Sequence, residues 1–71
     1  MIDYVALGQR ILIRRMAMQL TQKQLAELAG ISASYLGRIE RGRRAPSVET
    51  LIALCNALAV RPTELLPPQE E

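Results

Sequence analysis

The sequence predicts an all-α fold, five short helices around one small core, and three observations carry that reading. Hydrophobic residues make up 49% of the chain, yet there is no Phe or Trp and only two Tyr, so the core is built from Leu, Ile, Val, Ala and Met, which suits packed helices better than strands. Apolar residues recur at helical spacing along the chain. The periodic segments are punctuated by Thr or Ser in front and by Gly or Pro behind, the residues that start and stop helices. With 71 residues there is material for one domain, since a chain this short buries only about 60% of its unfolded surface.

Taken in order, Leu7, Ile11, Met18 and Leu20, with basic positions between them, read as a first helix from about Tyr4 to Met18. Leu12, Ile13 and Met16 make that helix apolar on more than one face. A single core does not bury all of them, which leaves a partner surface open there. Thr21-Gln22-Lys23-Gln24 has the form of a capping box, in which the hydroxyl accepts from the amide three residues on and the Gln24 side chain reaches back. A second helix therefore starts here, buries Leu25, Ala26, Leu28 and Ala29, and stops at Gly30 in the left-handed conformation. Ser32 caps a third helix through Glu40, which Gly42 ends in the same way. Helices joined by so short a glycine turn cross steeply, giving a helix-turn-helix between Thr21 and Arg41.

Arg41 to Pro46 is a basic loop, and Ser47 caps a fourth helix whose stripe is Val48, Leu51, Ile52, Cys55 and Leu58. Pro62 suits the first position of a fifth, with Thr63, Glu64, Leu65 and Leu66 completing a turn before Pro67-Pro68. The expected organisation is one helix-turn-helix domain over residues 1–66 and a short, acidic, disordered tail over 67–71.

The net charge of +2 is modest, but its distribution is not. Between Arg10 and Arg44 eight basic residues face two acidic ones, a balance of +6, whereas from Ala45 to Glu71 one base faces four acids, a balance of −3. That asymmetry suggests a polyanion on one side. The single cysteine cannot form an intramolecular disulfide, and without histidine there is no Cys/His metal set. Cys55 on the apolar stripe reads as a small buried hydrophobe. No pair of carboxylates falls at a converging spacing either, so the chain is expected to be no enzyme and to need no cofactor. No signal segment or long apolar run occurs, which points to a cytoplasmic setting with no membrane contact.

The chemistry concentrates on the second and third helices. A helix start offers free amides and a partial positive charge to phosphate, and Gln22 adds a primary amide there. On the third helix Ala33 and Ser34 are small, and Arg38 follows one turn later on the same side. That face can enter a major groove about 12 Å wide, where an arginine reaches O6 and N7 of guanine and Ala33 or Ser34 reaches a thymine methyl or a base edge. Leu36 and Ile39 on the opposite face hold the helix to the core. Without this context Arg43 and Arg44 would read as a solvated loop and Lys23 as an ordinary exposed lysine. Tyr35 suits packing on the second helix as well as a phosphate contact.

The run Leu7-Gly8, Ile11, Arg15, Leu20-Thr21-Gln22, Leu25-Ala26, Ala29-Gly30-Ile31-Ser32, Tyr35-Leu36, Arg38-Ile39-Glu40-Arg41-Gly42, Pro46-Ser47 and Leu51 resembles the helix-turn-helix family of phage repressor, Cro and xenobiotic-response-element regulators. The resemblance covers residues 5–66. It implies a five-helix, lambda-repressor-like domain and a sequence-specific DNA-binding transcriptional regulator, a repressor, with segment 32–41 in the major groove of double-stranded DNA. By the same resemblance Ala33, Ser34 and Arg38 read bases, Thr21, Gln22, Ser32, Tyr35, Arg43 and Arg44 hold the backbone, and Arg15 pairs with Glu40. Two departures stand out. Gln19 occupies a position where the family often has glycine, which leaves a different path open for the first loop. Ala33 and Ser34 are short where many members carry long polar residues, which moves discrimination toward Arg38 and DNA shape.

One domain of this size makes few contacts, so a homodimer on half-sites about 34 Å apart is expected. Its surface is expected on the fourth and fifth helices with Leu65 and Leu66, with the apolar first helix as second choice. The alternative function is a protein-interaction module or antitoxin-like protein with a protein partner, using the same fold.

Overall fold

In the computed structural model, which describes residues 1–68, five helices follow in order: α1 (Tyr4–Ala17), α2 (Gln22–Ala29), α3 (Ala33–Glu40), α4 (Val48–Leu58) and α5 (Pro62–Leu65). Side chains cap the first four starts. Asp3 Oδ1 accepts from Ala6 N at 3.1 Å, Ser32 Oγ from Tyr35 N at 3.0 Å and Ser47 Oγ from Thr50 N at 3.1 Å. At Thr21 both arms of the capping box form, with Gln24 N donating to Thr21 Oγ1 at 3.0 Å and Thr21 N to Gln24 Oε1 at 2.8 Å. At α5 the Glu64 carboxylate accepts from Arg61 N at 2.6 Å, and Pro62 holds the first helical position.

The four long helices end alike. After each, one residue turns left-handed, its amide donates to the carbonyl three residues back, and the next amide donates to the carbonyl five back. These residues are Gln19 (φ 58), Gly30 (φ 72), Gly42 (φ 72) and Ala59 (φ 55). The second amide of each pair runs Leu20 to Arg15 O (3.1 Å), Ile31 to Ala26 O (3.0 Å), Arg43 to Arg38 O (3.0 Å) and Val60 to Cys55 O (3.0 Å). The first loop therefore keeps the left-handed path that glycine would take, although Gln19 carries a side chain. The hydrogen-bond pair at Met16 and Arg15 closes the helix end and holds Gln19 in that conformation despite its steric cost.

The core joins Leu7 and Ile11 of α1, Leu25 and Ala26 of α2, Leu36 and Ile39 of α3, Leu54, Cys55 and Leu58 of α4, and Leu65 of α5. Burial pushes the Cys55 thiol above its ordinary range, and the Glu64 charge adds to the shift. Gly8 lets α1 cross closely over the end of α3, because a Cβ there would run into Ile39 O and lie 2.7 Å from Glu40 O.

Several expectations are corrected by this packing. The first helix ends at Ala17, with Met18 as its C-cap. Leu28 is 62% exposed, because α2 turns Leu25 and Ala26 inward and leaves Leu28 at the edge of an open depression with Leu20, Gln24 and Glu27. On α4, Val48 and Ile52 are 75% and 49% exposed while Leu54 is fully buried. That helix is apolar on nearly every side, so spacing alone admits two faces, and packing against α2 and α5 selects one. Leu65 is fully buried, which removes it from any dimer surface. Pro67 is buried as well, so the packed unit reaches one residue into the expected tail; Gln69 to Glu71 lie outside the described residues.

The two non-glycine left-handed positions carry a steric cost that glycine lacks. Gln19→Gly and Ala59→Gly are each expected to raise stability by about 0.5–1 kcal/mol in urea unfolding. Gly42→Ala is expected to lower it by about 2 kcal/mol, since a Cβ there would also lie 2.7 Å from Val5 Cα. A loss of stability on Ala59→Gly would contradict this account.

Candidate nucleic-acid interface

Leu36 and Ile39 fasten α3 to the core, which turns Ala33, Ser34 and Arg38 outward. All three are exposed. Ser34 and Arg38 are four residues apart and so share one face of the helix. Small residues at the first turn and a long cation one turn later form a narrow leading edge.

Around that edge lie hydroxyls fixed by the caps. Thr21 Oγ1 and Ser32 Oγ each accept from an amide of the helix they start. Each O–H remains a donor toward an anion, and both residues are exposed. The Tyr35 ring is half-buried against the core, and its hydroxyl accepts from Ser47 N at 3.4 Å. That contact ties the start of α4 to α3. Arg43 and Arg44 stand exposed in the turn after Gly42.

Beneath the edge is a buried polar cluster. Glu40, whose side chain is fully buried, meets Arg15, whose side chain is 13% exposed. Arg15 Nε donates to Glu40 Oε2 at 2.7 Å, Nη2 to Oε1 at 3.1 Å, and Nη1 to Leu20 O at 2.9 Å. One guanidinium thus joins α1, the first loop and the end of α3. Gln22 completes the cluster, its Nε2 donating to Glu40 Oε1 at 2.8 Å. This hydrogen bond is not foreseen from the sequence, where Gln22 reads as a phosphate donor. The signal that could have suggested it is the place of Glu40 next to Ile39 and four residues after Leu36, on the core-facing side of the helix, where a carboxylate needs more donors than one arginine supplies.

Charge is partitioned around this cluster. Glu64 lies 3.6 Å from Arg14, and its backbone carbonyl accepts from Arg10 Nη1 at 3.3 Å. Lys23, Arg38, Arg41, Arg43 and Arg44, by contrast, have no carboxylate within salt-bridge distance among the described residues. The basic part of the chain is therefore divided into Arg10 and Arg14 held at α5, Arg15 held by the buried Glu40, and cations free on the α2–α3 side. Among the described residues no three His, Cys, Asp or Glu side chains gather as a metal site, and no helix is long and apolar enough to cross a membrane.

A family model described as helix-turn-helix matches residues 11–65. The immunity repressor protein of Bacillus phage phi105 is 49% identical over 57 residues, which are 80% of this chain and 40% of that protein. This chain thus spans less than half of that repressor's length. Among solved structures, the restriction-modification controller protein C.AhdI from Aeromonas hydrophila superposes with a TM-score of 0.86 at 43% identity, covering 89% of this chain and 96% of that one. The P22 c2 repressor, solved in complex with a synthetic operator, gives a TM-score of 0.81 at 35% identity, covering 84% and 91%.

The buried cluster makes a direct prediction. Arg15→Ala and Glu40→Ala each leave a buried charge without its partner and are expected to cost about 3 kcal/mol. An Arg15→Met/Glu40→Leu double variant is expected to cost less than either single change, because no orphan charge remains. Urea unfolding of the three variants checks this, and single-variant losses below about 1 kcal/mol would show the pair to be dispensable.

Proposed function

Because the chain belongs to the helix-turn-helix family of phage-repressor-like and xenobiotic-response-element regulators, we propose that it is a sequence-specific DNA-binding transcriptional repressor of the cytoplasm. In this reading α3 enters the major groove and the unit that binds is a homodimer. The observation that carries the reading is the unpaired cationic surface around α3, set beside a leading edge of small side chains. Phosphate contacts supply affinity and base contacts supply specificity.

The roles follow from placement. Arg38 reads a guanine, and Ala33 and Ser34 contact neighbouring base edges in the same groove. Thr21, Ser32 and Tyr35 donate hydroxyl hydrogens to phosphate, Arg43 and Arg44 hold the backbone beyond α3, and the Gln22 amide has a second N–H to offer. Two further points support the reading: the P22 c2 repressor was solved on an operator, and this fold matches it closely. For the dimer, with Leu65 inside the core, the exposed apolar pair Val48 and Ile52 on α4 is the assigned surface.

Selection of bound sequences from a random duplex pool at two salt concentrations tests the function. We expect log K to fall steeply with log salt, and Arg38→Ala to relax preference at one base per half-site at a cost of about 1–3 kcal/mol. Uniform weak binding unaffected by Arg38→Ala would overturn sequence-specific regulation. For the dimer, analytical ultracentrifugation is expected to find Ile52→Lys monomeric where the wild type is dimeric, and a wild type that stays monomeric at high concentration would remove the homodimer.

A further inference from the structure

Helices α3 and α4 each pack on α2 but scarcely on one another. What joins them directly is a hydrogen bond at the surface, in which Ser47 N donates to the Tyr35 hydroxyl at 3.4 Å. Tyr35 lies on the first turn of α3, next to Ser34, and its ring packs on the core. Ser47 is the N-cap of α4. Its own hydroxyl is used within that helix, accepting from Thr50 N at 3.1 Å and donating to Thr50 Oγ1 at 2.9 Å. The backbone N–H of an N-cap has no backbone acceptor within its helix, and with Thr50 turned to the Ser47 hydroxyl, Tyr35 supplies one from α3. The next residue is Val48, which with Ile52 one turn on forms the exposed apolar pair of α4. The loop between the two helices is held at its other end too, where Gly42 is pressed against Val5.

We propose that Tyr35 is a positioning residue: its hydroxyl fixes the start of α4 relative to α3, and so sets the separation of the two recognition helices in the homodimer and the half-site spacing that the dimer accepts. The assignment rests on the reading of α3 as the DNA-binding helix and of α4 as the dimer surface. Spacing is a demanding measure of that geometry, since one added base pair moves a half-site by about 3.4 Å and turns it by about 35°. The hydroxyl performs this task without giving up its O–H. A lone pair takes the Ser47 amide while the hydrogen stays free to donate outward. Donation to an anion makes the oxygen a stronger acceptor, so the tie tightens when the outer face is occupied.

The test is fluorescence anisotropy of the full chain on duplexes that carry the selected half-site as an inverted pair, at the preferred separation and with one base pair added or removed. Tyr35→Phe keeps the packed ring and removes the hydroxyl. It is expected to lower the ratio of affinities between the preferred and the altered separations about fivefold, whereas loss of a phosphate donor alone weakens all three duplexes equally. Ser47→Pro removes the amide hydrogen without touching Tyr35, and the φ of −63° at Ser47 suits proline. Ser47→Ala loses the same side-chain cap but keeps that hydrogen. Ser47→Pro is therefore expected to lower the ratio, Ser47→Ala to keep it, and Ser47→Pro to add nothing in the Tyr35→Phe background. Should Ser47→Pro unfold the chain by circular dichroism, the ratio for Tyr35→Phe decides alone. An unchanged ratio for Tyr35→Phe would overturn the positioning role and leave the DNA-binding dimer standing. A wild type that binds a single half-site as tightly as a pair would remove the dimer reading and this assignment with it.

Discussion

A carboxylate with no exposed surface lies under the helix that carries the candidate base-reading residues, and much of the arrangement follows from how it is matched. Left alone, the ionised Glu40 would cost several kcal/mol in the interior. Arg15 supplies two donors and Gln22 a third, while the remaining arm of Arg15 takes Leu20 O. The end of α3 is thereby tied to α1, to the first loop and to the start of α2 through hydrogen bonds whose geometry is directional. Apolar packing by Leu36 and Ile39 holds α3 against the core, but such contact is non-directional. Burial of Leu36 and Ile39 already turns Ser34 and Arg38 outward, and the polar cluster pins that rotation of α3 with directional bonds at the end of the helix.

The helix ends extend the same control to the turns. Four helices close with paired hydrogen bonds around a left-handed residue, which gives each turn a fixed direction in very few residues. Between α2 and α3 this is what makes the steep crossing compatible with a shared core. The repetition also shows that the motif tolerates a side chain where the hydrogen bonds are good: Gln19 and Ala59 adopt it without glycine. Gly42 differs, because Val5 of α1 approaches so closely that neither the conformation nor the space admits a Cβ. The turn after α3 is in this way pressed against α1, with Arg43 and Arg44 left facing outward.

The helix starts and stops were legible in the chain because they depend on local chemistry. Thr21, Ser32 and Ser47 cap the helices they were expected to cap, and Gly30 and Gly42 turn left-handed as their placement implies. What local chemistry could not settle was orientation. On α4 eight of the 11 positions are apolar, so Val48 and Ile52 look as buried as Leu54 until α2 and α5 are in place. Leu28 fails for a related reason, since a short helix shows too few turns for its spacing to mark the edge of the buried face. In the candidate site, Ala33, Ser34 and Arg38 were legible as one face because helical spacing groups them. The Gln22–Glu40 and Tyr35–Ser47 hydrogen bonds were not, because each joins groups on different helices whose meeting depends on rotamers and on how those helices cross.

Charge placement links the two halves of the molecule. Glu64 on α5 draws Arg14 toward it and takes Arg10 on its backbone carbonyl, while Glu40 neutralises Arg15 from inside. Glu64 acts at α5, and Glu40, buried beneath the α2–α3 surface, is not displayed on it. An exposed pair such as Arg14 and Glu64 contributes little to stability, so its larger consequence is for the field outside the protein. With Arg14 and Arg15 paired to carboxylates and Arg10 drawn toward α5, most of the remaining positive charge stands at Lys23, Arg38, Arg41, Arg43 and Arg44. A net charge of +2 is then enough to orient an approaching polyanion, because long-range attraction follows the distribution of charge as well as its sum.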